Sequence, residues 1–208
     1  QRPGGPLIFL GPPVTRMTND MPRDRWRSVD YWDAGARWYD LWLRHNSYHA
    51  PIQSVLAARV RPDWRILDIG GGSGILSLFL RRIGCRIVLL EPAGAMRALF
   101  SRDAAAARLD GFEVDPRRWE DVPLAGVSGF DLILACNSLH VTSVGFESAL
   151  EKVFAAGARH VCVVAEHPGT CAPGRRRRTG YVCRYSERRA VSSSRAYHRP
   201  EEALDQAA

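Results

Sequence analysis

Residues 65–92 read RILDIGGGSGILSLFLRRIGCRIVLLEP, and this stretch decides the fold. A short apolar strand at 66–69 runs into a glycine turn, and the turn opens directly into an amphipathic helix. A second apolar strand at 87–90 ends on an acid, Glu91. Strand, helix and strand in this order make one βαβ unit, with a turn built to let a ligand touch the backbone. Gly70, Gly72 and Gly74 stand two residues apart. Glycine accepts positive φ and has no Cβ, so a ligand can lie against the main chain there.

The spacing narrows the choice of ligand. A dinucleotide fingerprint needs G-x-G-x-x-G, whose third glycine brings helix and strand together under a pyrophosphate. Counted from Gly70 the third position is Ile75, from Gly71 the second is Ser73, and from Gly72 the third is Ser77. A phosphate-binding Gly-Lys-Ser/Thr occurs nowhere in the chain. What remains is acid-x-G-x-G-x-G: Asp68, Gly70, Gly72, Gly74. This pattern resembles motif I of the class I S-adenosylmethionine-dependent methyltransferases. LLEP, RWEDVPL and FDLILACNSLH follow in that family's order and spacing, so the resemblance spans roughly residues 30–166.

The resemblance implies a set of cofactor contacts. Glycines at 70, 71, 72 and 74 let the loop pass under the ribose and methionine parts of S-adenosylmethionine. Asp68 helps to hold the ammonium, partly through water. Glu91 accepts hydrogen bonds from both ribose hydroxyls, a task suited to a carboxylate because it only accepts and can take two donors side by side. Pro92 and Met96 follow it along the same wall. Cys136 and Asn137 face the cofactor from the end of strand four. The family also often begins with a segment like YWDAGARWYD, whose aromatics close the pocket, and Tyr31, Trp32 and Tyr39 are the candidates here. The alternative for that helix is plain packing on the sheet edge.

Two departures from the family pattern stand out. Aligning VPL with the family's apolar-Pro-apolar ending puts Arg118 where an acid commonly reads the adenine amino group, and arginine cannot accept a hydrogen bond. Either Glu120 or Asp121 takes that role, or adenine is held by backbone and by Trp119, which is equally suited to plugging the core. The second departure is the C-terminal end. A full class I sheet adds a helix and an antiparallel strand pair after strand five, whereas 168–208 show little periodicity. Residues 181–185 could supply one strand, and the sheet is expected to be truncated or to carry an atypical tail.

Methyl transfer from a sulfonium requires positioning of the nucleophile and exclusion of water. A base is needed only if the acceptor loses a proton around the transition state. His140, in CNSLH, is the residue near the expected methyl position that titrates near neutrality, and is the candidate catalytic base. NSLH at 137–140 lacks an N-P-P-Y-like context, which argues against the adenine- or glutamine-N-methylating branches and for a small-molecule acceptor. The alternative is a non-catalytic cofactor-binding or interaction protein with an incomplete acceptor half.

The rest of the chain sets bounds. With 208 residues it holds one α/β domain plus tails. Strands alternating with helices predict a doubly wound, mostly parallel sheet, to which the family resemblance adds an N-terminal helical lid. The expected organisation is a flexible leader at 1–21, a methyltransferase domain at 22–167 whose lid is 22–60, and a basic tail at 168–208. A helix starting at an Asp30 cap, with Tyr31, Trp38 and Trp42 on one stripe, and a second after Pro51 to about Val60 make up the lid. Strands at 112–114, 130–135 and 160–165 and helices at 92–109 and 146–156 follow.

Five cysteines without C-x-x-C spacing read as reduced thiols of a cytoplasmic protein, with no zinc or disulfide framework. No apolar run approaches membrane-spanning length. Of the net charge of +7, most lies beyond Pro168, where nine basic residues face four acidic ones around Arg175, Arg176, Arg177 and Arg178. That run lacks aromatic platforms, so it reads as a solvated tail and argues against a nucleic-acid partner.

Overall fold

Five segments pair in parallel as β1 (Arg65–Ile69), β2 (Arg86–Leu90), β3 (Phe112–Asp115), β4 (Leu132–Cys136) and β5 (His160–Val164), all apolar runs except the edge strand β3. The computed structural model describes residues 27–165 and the backbone of 184–187. The last four form β6 (Arg184–Glu187), antiparallel to β5, and the order across the sheet is β3-β2-β1-β4-β5-β6. The expected tail strand is therefore present, shifted from 181–185, and supplies one antiparallel strand next to β5. The leader, and the rest of the tail with its arginine run, lie outside the described residues.

The register follows the apolar runs. Ile66 sits opposite Ile87 on one side and Leu132 on the other. Alternate residues then feed opposite faces. Leu67, Ile69, Leu90 and Ile133 join one buried cluster with Trp119, Val127 and Val153. Ile66, Ile87, Leu132 and Leu134 join a second with Ile52, Leu56 and Leu80. Burying both faces explains why these strands read as continuous apolar runs. Each fully buried Leu or Ile contributes about 1.5–3 kcal/mol from removal of apolar surface.

The helices are α1 (Val29–Arg44), α2 (Ala50–Ala57), α3 (Ile75–Ile83), α4 (Gly94–Ala106) and α5 (Phe146–Ala155). The first begins earlier than its Asp30 signal predicts. Ser28 is its N-cap, and the Ser28 hydroxyl accepts the Tyr31 amide N–H at 3.2 Å, leaving Asp30 in the first turn where an acid complements the helix dipole. The expected stripe of Tyr31, Trp38 and Trp42 is also corrected, because Trp38 is exposed. The helix docks on α4. Asp33 Oδ1 accepts the Ala95 N–H at 2.7 Å, capping α4 from outside, and Arg102 pairs with Asp40 at 3.1 Å.

Cys85, Cys136 and Cys162 are thiols. Among the described residues no helix is long and apolar enough to cross a membrane, and no group of three His, Cys, Asp or Glu side chains could hold a metal.

Candidate active site

The strand order reverses between β1 and β4, so the loops leaving their C-terminal ends diverge and open a crevice. The 70–74 loop and the turn starting at Asn137 meet there. Gly70, at φ +62°, lies so close to that turn that an added Cβ would fall 2.5 Å from the Ser138 Cβ. Ser138 in turn donates its hydroxyl to the Ile69 carbonyl at 2.5 Å. Gly74, at φ +77°, is closed off on the other side, since its Cβ would meet the Phe100 ring at 2.2 Å. Gly71 is hemmed in by Leu89 and Asp68. Gly72 differs: at φ +58° its Cβ position meets only Tyr39, at 3.8 Å. Three of these glycines serve close packing, and Gly72 is the one that leaves open space.

A cavity of about 300 Å³ sits over this crevice. One wall comes from the sheet end: Gly70, Gly72, Glu91, Pro92, Met96 and Asn137. The helical wall comes from α1 and the 45–49 connection: Trp32, Tyr39, Trp42, Tyr48 and His49. Those rings touch in sequence, with centroids 6.0 Å apart for Trp32–Tyr39, 5.7 Å for Tyr39–Trp42, 5.5 Å for Trp42–Tyr48 and 4.9 Å for Tyr48–His49. Tyr31 packs edge-on against Trp32 at 5.4 Å and does not line the cavity.

Glu91 is buried at the end of β2 with its carboxylate on the cavity. One oxygen accepts the Gly72 N–H at 2.9 Å and the other the Ala93 N–H at 2.8 Å. Each oxygen keeps a second lone pair for another donor. Burial raises the Glu91 pKa, and the two amides oppose that shift. Asp68 is likewise buried but lies beneath the loop, off the cavity wall, where its Oδ2 accepts the Ser77 hydroxyl at 2.7 Å. Burial pushes Asp68 up to about 6, the Ser77 hydrogen bond lowers it and the Glu91 charge raises it. Tyr39 is raised mainly by burial, then by Cys136, Tyr48 and the two carboxyls, so its hydroxyl stays protonated.

Asn137 follows β4 with φ +50°, a left-handed conformation that asparagine tolerates better than most residues. Its side-chain amide donates to the Tyr48 hydroxyl, tying the sheet wall to the helical wall. Its Oδ1 is buried and has no hydrogen-bond partner. An orphaned buried acceptor on a ligand-sized cavity calls for a donor. Cys136 and His140 line the same cavity.

The departure at Arg118 is resolved locally. Its guanidinium donates to the Glu120 carboxylate at 3.3 Å and to the Arg27 carbonyl at 3.2 Å. Glu120 Oε1 also accepts the Ser143 amide at 2.9 Å and hydroxyl at 2.8 Å, which holds the loop after β4 against the cavity. Arg118 and Glu120 line the cavity, whereas Asp121 does not. Trp119 plugs the core and also borders the cavity. Its ring is buried in the main cluster with Nε1 donating to the Ala149 carbonyl at 3.0 Å, and part of it reaches the cavity wall.

Tyr48 and His49 are functional candidates that the periodicity does not reveal, because they fall in a short helix connection. Their only signal is the aromatic and histidine density of RHNSYHAP. His49 is buried, and burial pushes its imidazole down to about 4.

Comparison with known proteins agrees with this architecture. Residues 66–160 match the family model described as a methyltransferase domain. That match and this sheet order give the chain a methyltransferase domain with the class I, Rossmann-like fold.

Among solved structures it is similar to the magnesium protoporphyrin IX methyltransferase of Synechocystis PCC 6803 with bound S-adenosylmethionine, at 16% identity and TM-score 0.55, covering 73% of this chain and 80% of that one. It is also similar to DhpI in complex with S-adenosylhomocysteine, at 23% identity and TM-score 0.51, covering 67% and 68%. The YcgJ protein of Bacillus subtilis, at 19% identity and TM-score 0.49, aligns over 58% of this chain, and the chain spans about half of it (52%). No curated protein compared with the sequence matches it.

Proposed function

We propose that this protein transfers the methyl group of S-adenosylmethionine to a small-molecule acceptor bound between the sheet end and the helical wall. The observation that carries this reading is convergence. The uncovered Gly72, the buried Glu91 carboxylate and the unpartnered Asn137 Oδ1 all face one cavity at the switch point of the sheet. These residues fit the cofactor's ribose, its ammonium and its need for backbone approach.

S-adenosylmethionine supplies an activated methyl on a sulfonium, which the acceptor's lone pair takes in line as the carbon–sulfur bond breaks. The chain's own part is to bind and orient. Glu91 receives the ribose hydroxyls on its remaining lone pairs, and the Asn137 Oδ1 takes a hydrogen from the ammonium. Asp68, whose carboxylate lies beneath the loop, would reach the ammonium through water. Pro92, Met96, Trp119 and Glu120, which line the same cavity, would hold the adenine. Tyr39 and the rings beside it exclude water from the transfer path. His140 stands on the cavity as acceptor for the proton the substrate loses.

The small acceptor is supported by the modest cavity, its aromatic wall and the NSLH sequence at 137–140. The test is release of labelled methyl from S-adenosylmethionine over a panel of metabolites. Turnover with at least one small molecule is expected, and His140→Ala should lower kcat by about 10²–10⁴-fold with little change in S-adenosylhomocysteine affinity. Tight cofactor binding without transfer to any small molecule would leave a binding protein instead.

A further inference from the structure

The helical wall carries a polar group that makes no side-chain hydrogen bond within the described fold. His49 stands just before α2, is 6% exposed and lines the cavity beside Tyr48. Its imidazole makes no hydrogen bond to any described residue, and it does not cap the helix it precedes. Its nitrogens are not sealed in the protein interior, so a ligand in the cavity can reach them.

The charges around it restrict what can come opposite. From Arg27 to His49, no residue on the cavity is acidic. The two carboxylates on the cavity, Glu91 and Glu120, belong to the sheet side and are already held by amides, Ser143 and Arg118. An ammonium arriving at the helical wall would therefore meet Arg27 and no carboxylate there. A neutral imidazole, by contrast, is a good acceptor for a hydroxyl hydrogen. Burial and the position at a helix N-terminus both keep it neutral.

We infer that His49 binds the methyl acceptor, taking a hydrogen bond from its hydroxyl, and that the acceptor is an uncharged ring compound of the phenol type. The aromatic wall from Trp32 to Tyr48 supplies the surface on which such a ring packs. This rests on the methyltransferase reading above, because the acceptor side is defined only once the cofactor occupies the sheet wall.

The experiment uses the full chain, first titrated with S-adenosylhomocysteine and then, saturated with it, with phenol, toluene and benzylamine by NMR. Phenol and toluene have nearly the same shape, so their difference reports the hydroxyl. Wild type is expected to prefer phenol by about threefold to tenfold, the size of one net hydrogen bond, and to bind benzylamine more weakly than phenol. Phenol, and not toluene, should shift the imidazole ¹⁵N resonances of His49. His49→Phe should erase the preference while keeping toluene affinity, and His49→Gln should restore part of it.

A wild type that does not bind phenol or does not prefer it, unmoved His49 resonances, or a His49→Phe variant that keeps the preference would overturn the assignment. Benzylamine binding tighter than phenol would overturn the acceptor class. Failure of S-adenosylhomocysteine to bind in the first step is a separate result, which removes the cofactor reading and this inference with it. If His49→Phe does not fold, the wild-type preference and the ¹⁵N shifts still decide.

Discussion

The Glu91 carboxylate accepts the Gly72 amide at 2.9 Å, joining the end of β2 to the one glycine of the motif that faces open space. The acid therefore shapes the loop before any ligand arrives. Glu91→Ala should cost stability, because it leaves the Gly72 and Ala93 amides without acceptors, at about 1–3 kcal/mol for each that stays buried. It should also weaken S-adenosylhomocysteine by about 1.5–3 kcal/mol, the range for hydrogen bonds to a charged group. Calorimetry with an analogue lacking the ribose hydroxyls separates the effects. A smaller loss for that analogue is expected, and equal losses would mean that Glu91 acts only through the loop.

The glycines should not be equivalent. Gly70→Ala and Gly74→Ala drive a Cβ into Ser138 and Phe100, so both variants should lose several kcal/mol or fail to fold. Gly72→Ala pays only for its positive φ, about 1–2 kcal/mol, and should fold while losing cofactor affinity. Thermal melts beside S-adenosylhomocysteine titrations check this. A Gly72→Ala protein as unstable as the other two would show that the open side of the loop has been misplaced.

Asp68 gives the ligand-free protein a pH dependence of known sign. Its folded pKa, about 6, lies above the ordinary aspartate value of 3.8, so the native state holds the proton more tightly than the unfolded chain. Stability should fall as pH rises from about 4 to 6, by on the order of 3 kcal/mol in all. Asp68→Asn, which keeps an acceptor for Ser77, should melt higher than wild type above pH 6 and equally near pH 4. The same variant should bind S-adenosylhomocysteine more weakly at pH 7.5. Parallel melting curves from pH 4 to 8 would contradict the assignment.

Asn137 combines a strained backbone with an orphaned acceptor. Asn137→Gly relieves the first and Asn137→Ala does not, so the glycine variant should be more stable by about 1 kcal/mol. Both lose Oδ1, and both should bind S-adenosylhomocysteine about threefold to tenfold more weakly. Wild-type affinity in either variant would show that Oδ1 does not meet the cofactor.

How far the sequence could be read depended on whether burial left a period in it. The strands were legible because both sheet faces are covered, so 66–69 and 87–90 are each observed with one arginine added in front. The run from 130 begins pairing as strand at Leu132. The glycine turn was legible as a motif, but not the division of labour within it. Gly70 and Gly74 are fixed by Ser138 and Phe100, which lie 68 and 26 positions further along the chain. The inward face of α1 was misread because aromatic residues stand on more than one side of it. Trp38 is exposed, while Trp32, Tyr39 and Trp42 face the cavity. Tyr48 and His49 left no period at all, since a connection between helices places side chains by its turn geometry.

The central claim is that this cavity holds S-adenosylmethionine and its product. Its most direct test is calorimetric titration of the wild-type chain and of Gly72→Val with S-adenosylhomocysteine, with NADH as the control ligand. The account predicts one-to-one binding of S-adenosylhomocysteine to wild type, none to a folded Gly72→Val, and none of NADH to either. A folded wild type that ignores S-adenosylhomocysteine, or a folded Gly72→Val that binds it as wild type does, would contradict it.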